Sequence, residues 1–409
     1  MTDPGTPAGQ QTVRQHNLRL VLAELATAPG SRAGLAQRTG LTKATVASLV
    51  NSLIEQAIVL QGEPLSFGPG RPSRSLSFNP HGPAAVGVEI NVDYTAVCHL
   101  DLTGRVHEHK RVAVDNRVGS ATDVLRYAVA VCRPLLDGLS QPVLGVALAI
   151  PGVVGPDGEV LRAPNLPGLN GHRAGATLAS LLALSDEVPV VVENEANLGA
   201  LAHLRSAPAE GQNFVYVSGE IGVGAGLVVD GELFRGLNGF AGELGHVVVD
   251  RDGPWCGCGG QGCVEQYAGQ EVMLRTARQP DIEALQAALE TGQPRAVDAV
   301  EKAGAALGIG LASLLNVLDL PTVVLGGMYA RLFDTMVPSC QAELTRRVLS
   351  AQCGGPQIRR SALGADAAVR GAAGLVIDRA LKSPDRLGGA HRMSPGLLVD
   401  LPHAVAESG

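Results

Sequence analysis

The chain has 409 residues, a net charge of −7 and 45% apolar residues, with aromatics at only 3%. That length expects about two to three domains, and the composition excludes a collagen-like, low-complexity or uniformly basic protein. Residues 1–82 hold seven basic and four acidic side chains, a surplus of +3, so the remainder carries −10. A basic head on an acidic body fits a head that approaches phosphates and a body that stays off them.

Residues 1–11 are polar and carry Pro and Gly, with neither a charged nor an apolar leader region. They read as a disordered arm rather than a signal peptide. A first helix is expected over 13–28, with Leu18, Val21, Leu22 and Leu25 at helical spacing. Ser31 is placed to cap a short helix over 32–39, Gly40 to break it, and Thr42 to cap a third helix ending near 55. Ala36 allows the second and third helices to approach, Gly40 supplies the turn and Val46 fills the angle, which is a helix-turn-helix pattern. Leu49, Val50 and Leu53 continue the buried face, leaving Thr42, Lys43, Thr45 and Ser48 outward, where such motifs touch base edges and phosphates. Two short strands, over 58–60 and 75–78, suggest a wing. The arm between them, Gly68-Pro-Gly-Arg71-Pro72, is suited to a narrow minor groove, with a plain surface turn as the alternative. Residues 12–80 are therefore expected to form a winged helix-turn-helix that binds double-stranded DNA. A helical module that contacts another protein is the competing reading.

The body, residues 83–382, alternates strands and helices. Strands are expected over 85–90, 95–101, 111–114, 143–150 and 190–192, with helices over 121–136 and 174–183. The pattern restarts with strands over 214–217, 224–229 and, after a long loop, 246–249. The apolar stretch 303–318 contains Ser313 and Asn316 and is too short and glycine-broken to span a bilayer, so it reads as a buried helix feeding a strand over 322–325. A repeated α/β unit with a cleft between its halves suits a hinged ligand-binding body. Residues 383–409, with several Pro and Gly, read as a loose tail.

Cys256, Cys258 and Cys263 fall within eight residues, ten positions after His246. One imidazole and three thiols can close a tetrahedral zinc site, and a full four-ligand shell makes the metal structural. The expected location is cytoplasmic, where clustered thiols serve as metal ligands more often than as disulfides. A metal-free loop or an oxidised cysteine pair is the alternative. Cys98, Cys132, Cys340 and Cys353 are scattered and read as core or spectator residues. Glu243 and Glu265 flank the cysteine loop, either as solvated carboxylates or as acceptors in a polar small-molecule pocket.

Several motifs appear in a fixed order: Ile150-Pro-Gly-Val-Val, Ala163-Pro-Asn-Leu-Pro-Gly168, Glu193-Asn-Glu-Ala-Asn197, Gly239-Phe-Ala-Gly-Glu-Leu-Gly-His246, the cysteine loop through Glu265, and Val324-Leu-Gly-Gly327. Over about residues 12–382 the chain resembles the ROK family of bacterial sugar kinases and repressors, and most resembles its xylose-repressor-like branch. The resemblance implies an actin-like body of two RNase-H-like lobes. It also implies that Asn194, Glu195, Glu243, His246 and Glu265 contact a monosaccharide, with His246 serving both metal and sugar. The expected partners are operator DNA, a monosaccharide effector with xylose as the first candidate, and a second copy or copies of the chain as homodimer or homotetramer. The family's kinases carry a Gly-Gly-Thr phosphate turn and a Gly-Thr-Gly turn; here stand Asn91-Val-Asp93 and Glu220-Ile-Gly222. Their catalytic Asp is replaced by Glu195. A sugar-responsive regulator without enzymatic activity is therefore expected, with an ATP-dependent sugar kinase as the runner-up.

Overall fold

A computed structural model describes residues 9–65 and 73–388. In the head, helices α1 (Gln10–Thr27), α2 (Arg32–Thr39) and α3 (Lys43–Glu55) precede strands β1 (Val59–Leu65) and β2 (Ser73–Phe78), which pair antiparallel. The Ser31 hydroxyl accepts from the Gly34 amide to start α2, and Gly40 ends it at φ +71°. Thr42 caps α3 through the Thr45 amide. Helix α1 begins at Gln10, inside the stretch expected to be an arm, because nothing after Gly9 breaks a helix; the Gly9 carbonyl accepts from Val13. The wing strands are longer than their apolar cores suggest, since their outer residues are polar. The Gly68–Pro72 arm, including Arg71, lies outside the described residues.

The first lobe contains β3 (Ala84–Ile90), β4 (Tyr94–Asp101), β5 (Val106–Ala113), α4 (Ala121–Gly138), β6 (Val143–Ile150), the hairpin β7 (Val153–Val154) and β8 (Val160–Arg162), α5 (Ala174–Leu181), β9 (Val190–Asn194) and α6 (Glu195–Ser206). The second contains β10 (Phe214–Gly219), β11 (Val223–Val229), β12 (Glu232–Phe234), α7 (Glu265–Ala268), α8 (Gln270–Ala277), α9 (Ile282–Glu290), α10 (Pro294–Leu318), β13 (Thr322–Gly326), α11 (Gly327–Arg331), α12 (Phe333–Arg347) and β14 (Gln357–Arg360). Helix α13 (Ala367–Lys382) then returns to the first lobe, followed by α14 (Asp385–Gly388), a single turn within the stretch read as a loose tail.

The two sheets have the same order, β5-β4-β3-β6-β9 and β12-β11-β10-β13-β14, each with three antiparallel strands and two parallel ones. That duplication is the two-lobed, actin-like α/β body joined to a winged helix-turn-helix. In β3, Val86, Val88 and Ile90 face α4 and α5, while Ala85 packs toward α13. A Cβ at Gly87 would overlap the Val369 carbonyl of α13, and one at Gly371 the Leu198 carbonyl of α6. Small residues therefore let α13 lie flat on both sheet and helix. Helix α6 sits between the lobes, since Ala196 and Ala200 meet Gly224 and Gly226 of β11.

Strand β5 is longer than expected because it is an edge strand with charged residues on both faces, which hides any alternation. The strand expected over 246–249 is absent: Leu244–His246 is a 3-10 turn, and Val248 makes only one bridge, to Cys263. The chain must bend there to aim His246 at the thiols, so a regular ladder cannot form. Helix α10 is long and apolar enough to cross a membrane by composition, yet it packs along α12 in the second lobe's core.

Candidate functional site

The cleft opens where the C-terminal ends of β3, β6, β9 and β10 converge, at a cavity of about 330 Å³. Open α/β sheets bind ligands at that end of their strands. Asn194, Glu195, Glu243, His246 and Glu265 all line it.

Each is held by a different local device. Asn194 is the N-cap of α6: its Oδ1 accepts from the Ala196 amide at 2.8 Å and the Asn197 amide at 3.2 Å, and its Nδ2 donates to the Gly152 carbonyl at 2.9 Å. One N–H remains for the cleft. Glu195, 6% exposed, opens α6 and accepts from Asn91 Nδ2 at 3.2 Å. Glu265 opens α7 and accepts from the Val223 amide at 3.2 Å. Glu243 stands just before the 3-10 turn that carries His246, with 3.9 Å between its Oε2 and His246 Nε2. Burial raises the Glu243 carboxyl above its ordinary pKa, with the nearby imidazole opposing.

His246 turns its other nitrogen, Nδ1, to Cys256 Sγ at 3.8 Å, while Cys258 and Cys263 face each other at 3.7 Å. The four donor atoms lie within 4.8 Å of one another. Donors at about 2.3 Å from a tetrahedral metal are about 3.8 Å apart, whereas a disulfide needs about 2.05 Å. The set can therefore hold a metal ion with His246 presenting one ring nitrogen to the metal and the other to the cleft.

Below the cleft floor, Glu89, Glu195 and Glu220 surround a void of about 10 Å³, room for about one water. Glu89 is 1% exposed; its Oε1 accepts from Tyr94 Oη at 2.5 Å, and its Oε2 has no hydrogen-bond partner among the described residues. Burial raises all three carboxyls, Glu220 to about 8, and their mutual charge adds to the effect on Glu195 and Glu220.

Two polar side chains of the cleft carry no role in the sequence reading. Asn165 belongs to the visible Ala163-Pro-Asn motif. Arg162, just before it, sends Nη2 across the cleft to the Cys258 carbonyl at 2.8 Å, and no pattern in the sequence marks it.

In the head, Thr42, Lys43 and Ser48 are exposed on the first two turns of α3 and Thr45 is half-buried. The Thr42 hydroxyl is shared with Thr45 Oγ1 at 2.9 Å as well as the cap, so Lys43 and Ser48 are the freer groups. Arg32 ties the head together: it donates to Gln61 of the wing at 2.7 Å and to Asn51 of α3 at 3.0 Å.

Residues 85–379 match the ROK family. The xylose repressor of Bacillus subtilis (strain 168) is 31% identical over 385 residues, covering 91% of this chain and 98% of that protein. A solved ROK family transcriptional regulator, described as a homologue of the Escherichia coli Mlc protein, superposes with a TM-score of 0.77 at 24% identity, over 92% of this chain and 99% of its own. A ROK family glucokinase from Streptomyces griseus, solved with glucose and AMPPNP, reaches a TM-score of 0.64 at 26% identity over 71% of this chain and 98% of its own. The kinase thus matches a shorter part of this chain than the regulators do. With its body matched throughout and a relative similar along nearly its whole length, the chain belongs to the ROK family.

Proposed function

We propose that the chain is a sugar-responsive DNA-binding transcriptional repressor of carbohydrate-utilisation genes, acting in the cytoplasm as a homodimer or homotetramer and released from its operator by a monosaccharide. The observation that carries this reading is a cleft ringed by hydroxyl-binding groups with the carboxyls of Glu89, Glu195 and Glu220 clustered at its floor, on a chain with a capped, outward-facing α3. Carboxylates accept paired hydroxyl hydrogen bonds, and an amide N–H completes the ring. Zinc held by His246, Cys256, Cys258 and Cys263 fixes the loop that presents Glu243 and His246. Lys43 supplies a phosphate contact, Ser48 and Thr45 meet base edges, and Arg71 reaches the minor groove. Similarity to the xylose repressor makes xylose the first effector to test. Glu195, one methylene longer than Asp, would fill the space that a hexose gives its hydroxymethyl group.

A kinase reading must place phosphate beside Glu89, Glu195 and Glu220. Burial holds these carboxyls toward the protonated form, and Glu220 puts a side chain where the kinases keep bare glycine; a phosphate seated there would drive them further from ionisation.

Release requires the effector to prefer the state that cannot bind DNA. The test selects an operator from a random duplex pool with purified zinc-loaded protein, then titrates xylose, glucose and N-acetylglucosamine. Specific retention of a palindromic duplex, relieved by one sugar, is the expected result. Sugar-dependent ATP consumption together with no selected duplex would overturn it. Glucose binding without xylose binding would overturn the pentose assignment alone.

A further inference from the structure

Between the head and the first lobe lies a second cavity of about 680 Å³, larger than the cleft. That volume is within the range of small-molecule sites, which favour junctions between domains. Leu25 and Phe78 of the head and Leu102 of the body are buried residues that face it, which gives it an apolar floor. Its charged groups stand on the body side. Arg205, in the last turn of α6, pairs with Asp378 and donates to the Gly374 carbonyl at 3.4 Å, so that pair is neutral together. Arg370 of α13 also lines the cavity, half-buried, and its side chain makes no hydrogen bond or ion pair among the described residues.

A guanidinium partly withdrawn from water, with no ion-pair partner among the described residues and facing open volume, is poised for an anion. Its planar fork matches a carboxylate in two parallel hydrogen bonds. One uncompensated positive charge above an apolar floor selects a ligand with one negative group and an apolar body. We infer that this cavity binds a small amphipathic carboxylate, its charged end on Arg370 and its apolar end against Leu25, Phe78 and Leu102. Such a ligand touches the head and the body at once, so it adjusts DNA binding from a site separate from the cleft.

The test titrates full-length, zinc-loaded protein with octanoate and 4-phenylbutyrate by calorimetry, with octanol and 4-phenylbutanol as neutral arms. Saturable binding of the acids, about tenfold tighter than of the alcohols, is expected. Arg370→Gln should remove about that factor and Arg370→Lys should restore part of it, a recovery that loss of folding would not give. Ala26→Glu, an exposed head residue on the cavity wall, should weaken the acids and not the alcohols. Sugar binding in the cleft and the ligand-free melting temperature should stay unchanged in all three variants. Equal affinity for acids and alcohols, or an unaffected Arg370→Gln, overturns the site. An unaffected Ala26→Glu overturns the contact with the head.

Discussion

Replacing Glu220 by Gln should make the protein more stable at alkaline pH and leave it unchanged near pH 5. Glu220 closes the turn between β10 and β11, and its pKa rises from 4.5 to about 8, first because it is buried and then because Glu89 is beside it, with Arg111 opposing. A raised carboxyl pKa contributes stability that is complete below about 4.5 and is lost as pH climbs through about 8. That interval corresponds to roughly 5 kcal/mol against the ionised form. Glu220 keeps a part-exposed edge, and screening by solvent lowers the realised figure to about 2–3 kcal/mol. Gln keeps the shape and has no charge to bury. Thermal melts at pH 5, 7 and 8.5, with zinc and salt held constant, should show coincident curves at pH 5. At pH 8.5 the variant should melt about 3 °C higher. Parallel curves at every pH, or a variant less stable at pH 8.5, would refute the claim that a buried carboxylate cluster occupies this turn.

Lys43→Ala should weaken operator binding on every sequence alike and reduce the salt slope by about one, read by filter binding at several salt concentrations; an unchanged slope would remove Lys43 from the phosphates. Purified protein should contain one equivalent of zinc, and Cys263→Ser should lose both the metal and the sugar response, checked by atomic absorption and by cobalt–thiolate absorbance; a full response without metal would reject the bracing role. Gly87→Ala should cost about 2–3 kcal/mol in urea unfolding, because its methyl meets the Val369 carbonyl of α13. A neutral result there would mean that α13 is free to shift away from the sheet.

Elements whose ends carry their own chemistry were legible in the sequence. Ser31, Gly40 and Thr42 mark the bounds of α2 and the start of α3 because capping is a local hydrogen-bond requirement. The fully buried strand β6 was equally plain, with eight apolar or small residues in a row. Only the end of β5 was legible, because an edge strand need not alternate, and β12 and β14, short strands in which polar side chains are mixed with apolar ones, were not. The residues after His246 look like a strand, and only the demand of four converging donors bends them away from one. In the cleft, carboxylates and the histidine stand in motifs, so spacing and resemblance reveal them. The Arg162 contact with the Cys258 carbonyl joins residues 96 positions apart, and no local pattern encodes such a distance.

Helix α6 begins at Glu195 in the cleft, and its last turn, with Leu204, Arg205 and Ser206, borders the cavity beneath the head. Twelve residues make a rod about 18 Å long. A tilt of about 6° around its midpoint carries each end by about 1 Å, a displacement that packed interfaces convert into discrete repositioning. Whatever occupies the pocket at one tip thus has a lever whose other tip presses where the reader meets its mount, and no chain of intermediaries is needed between them.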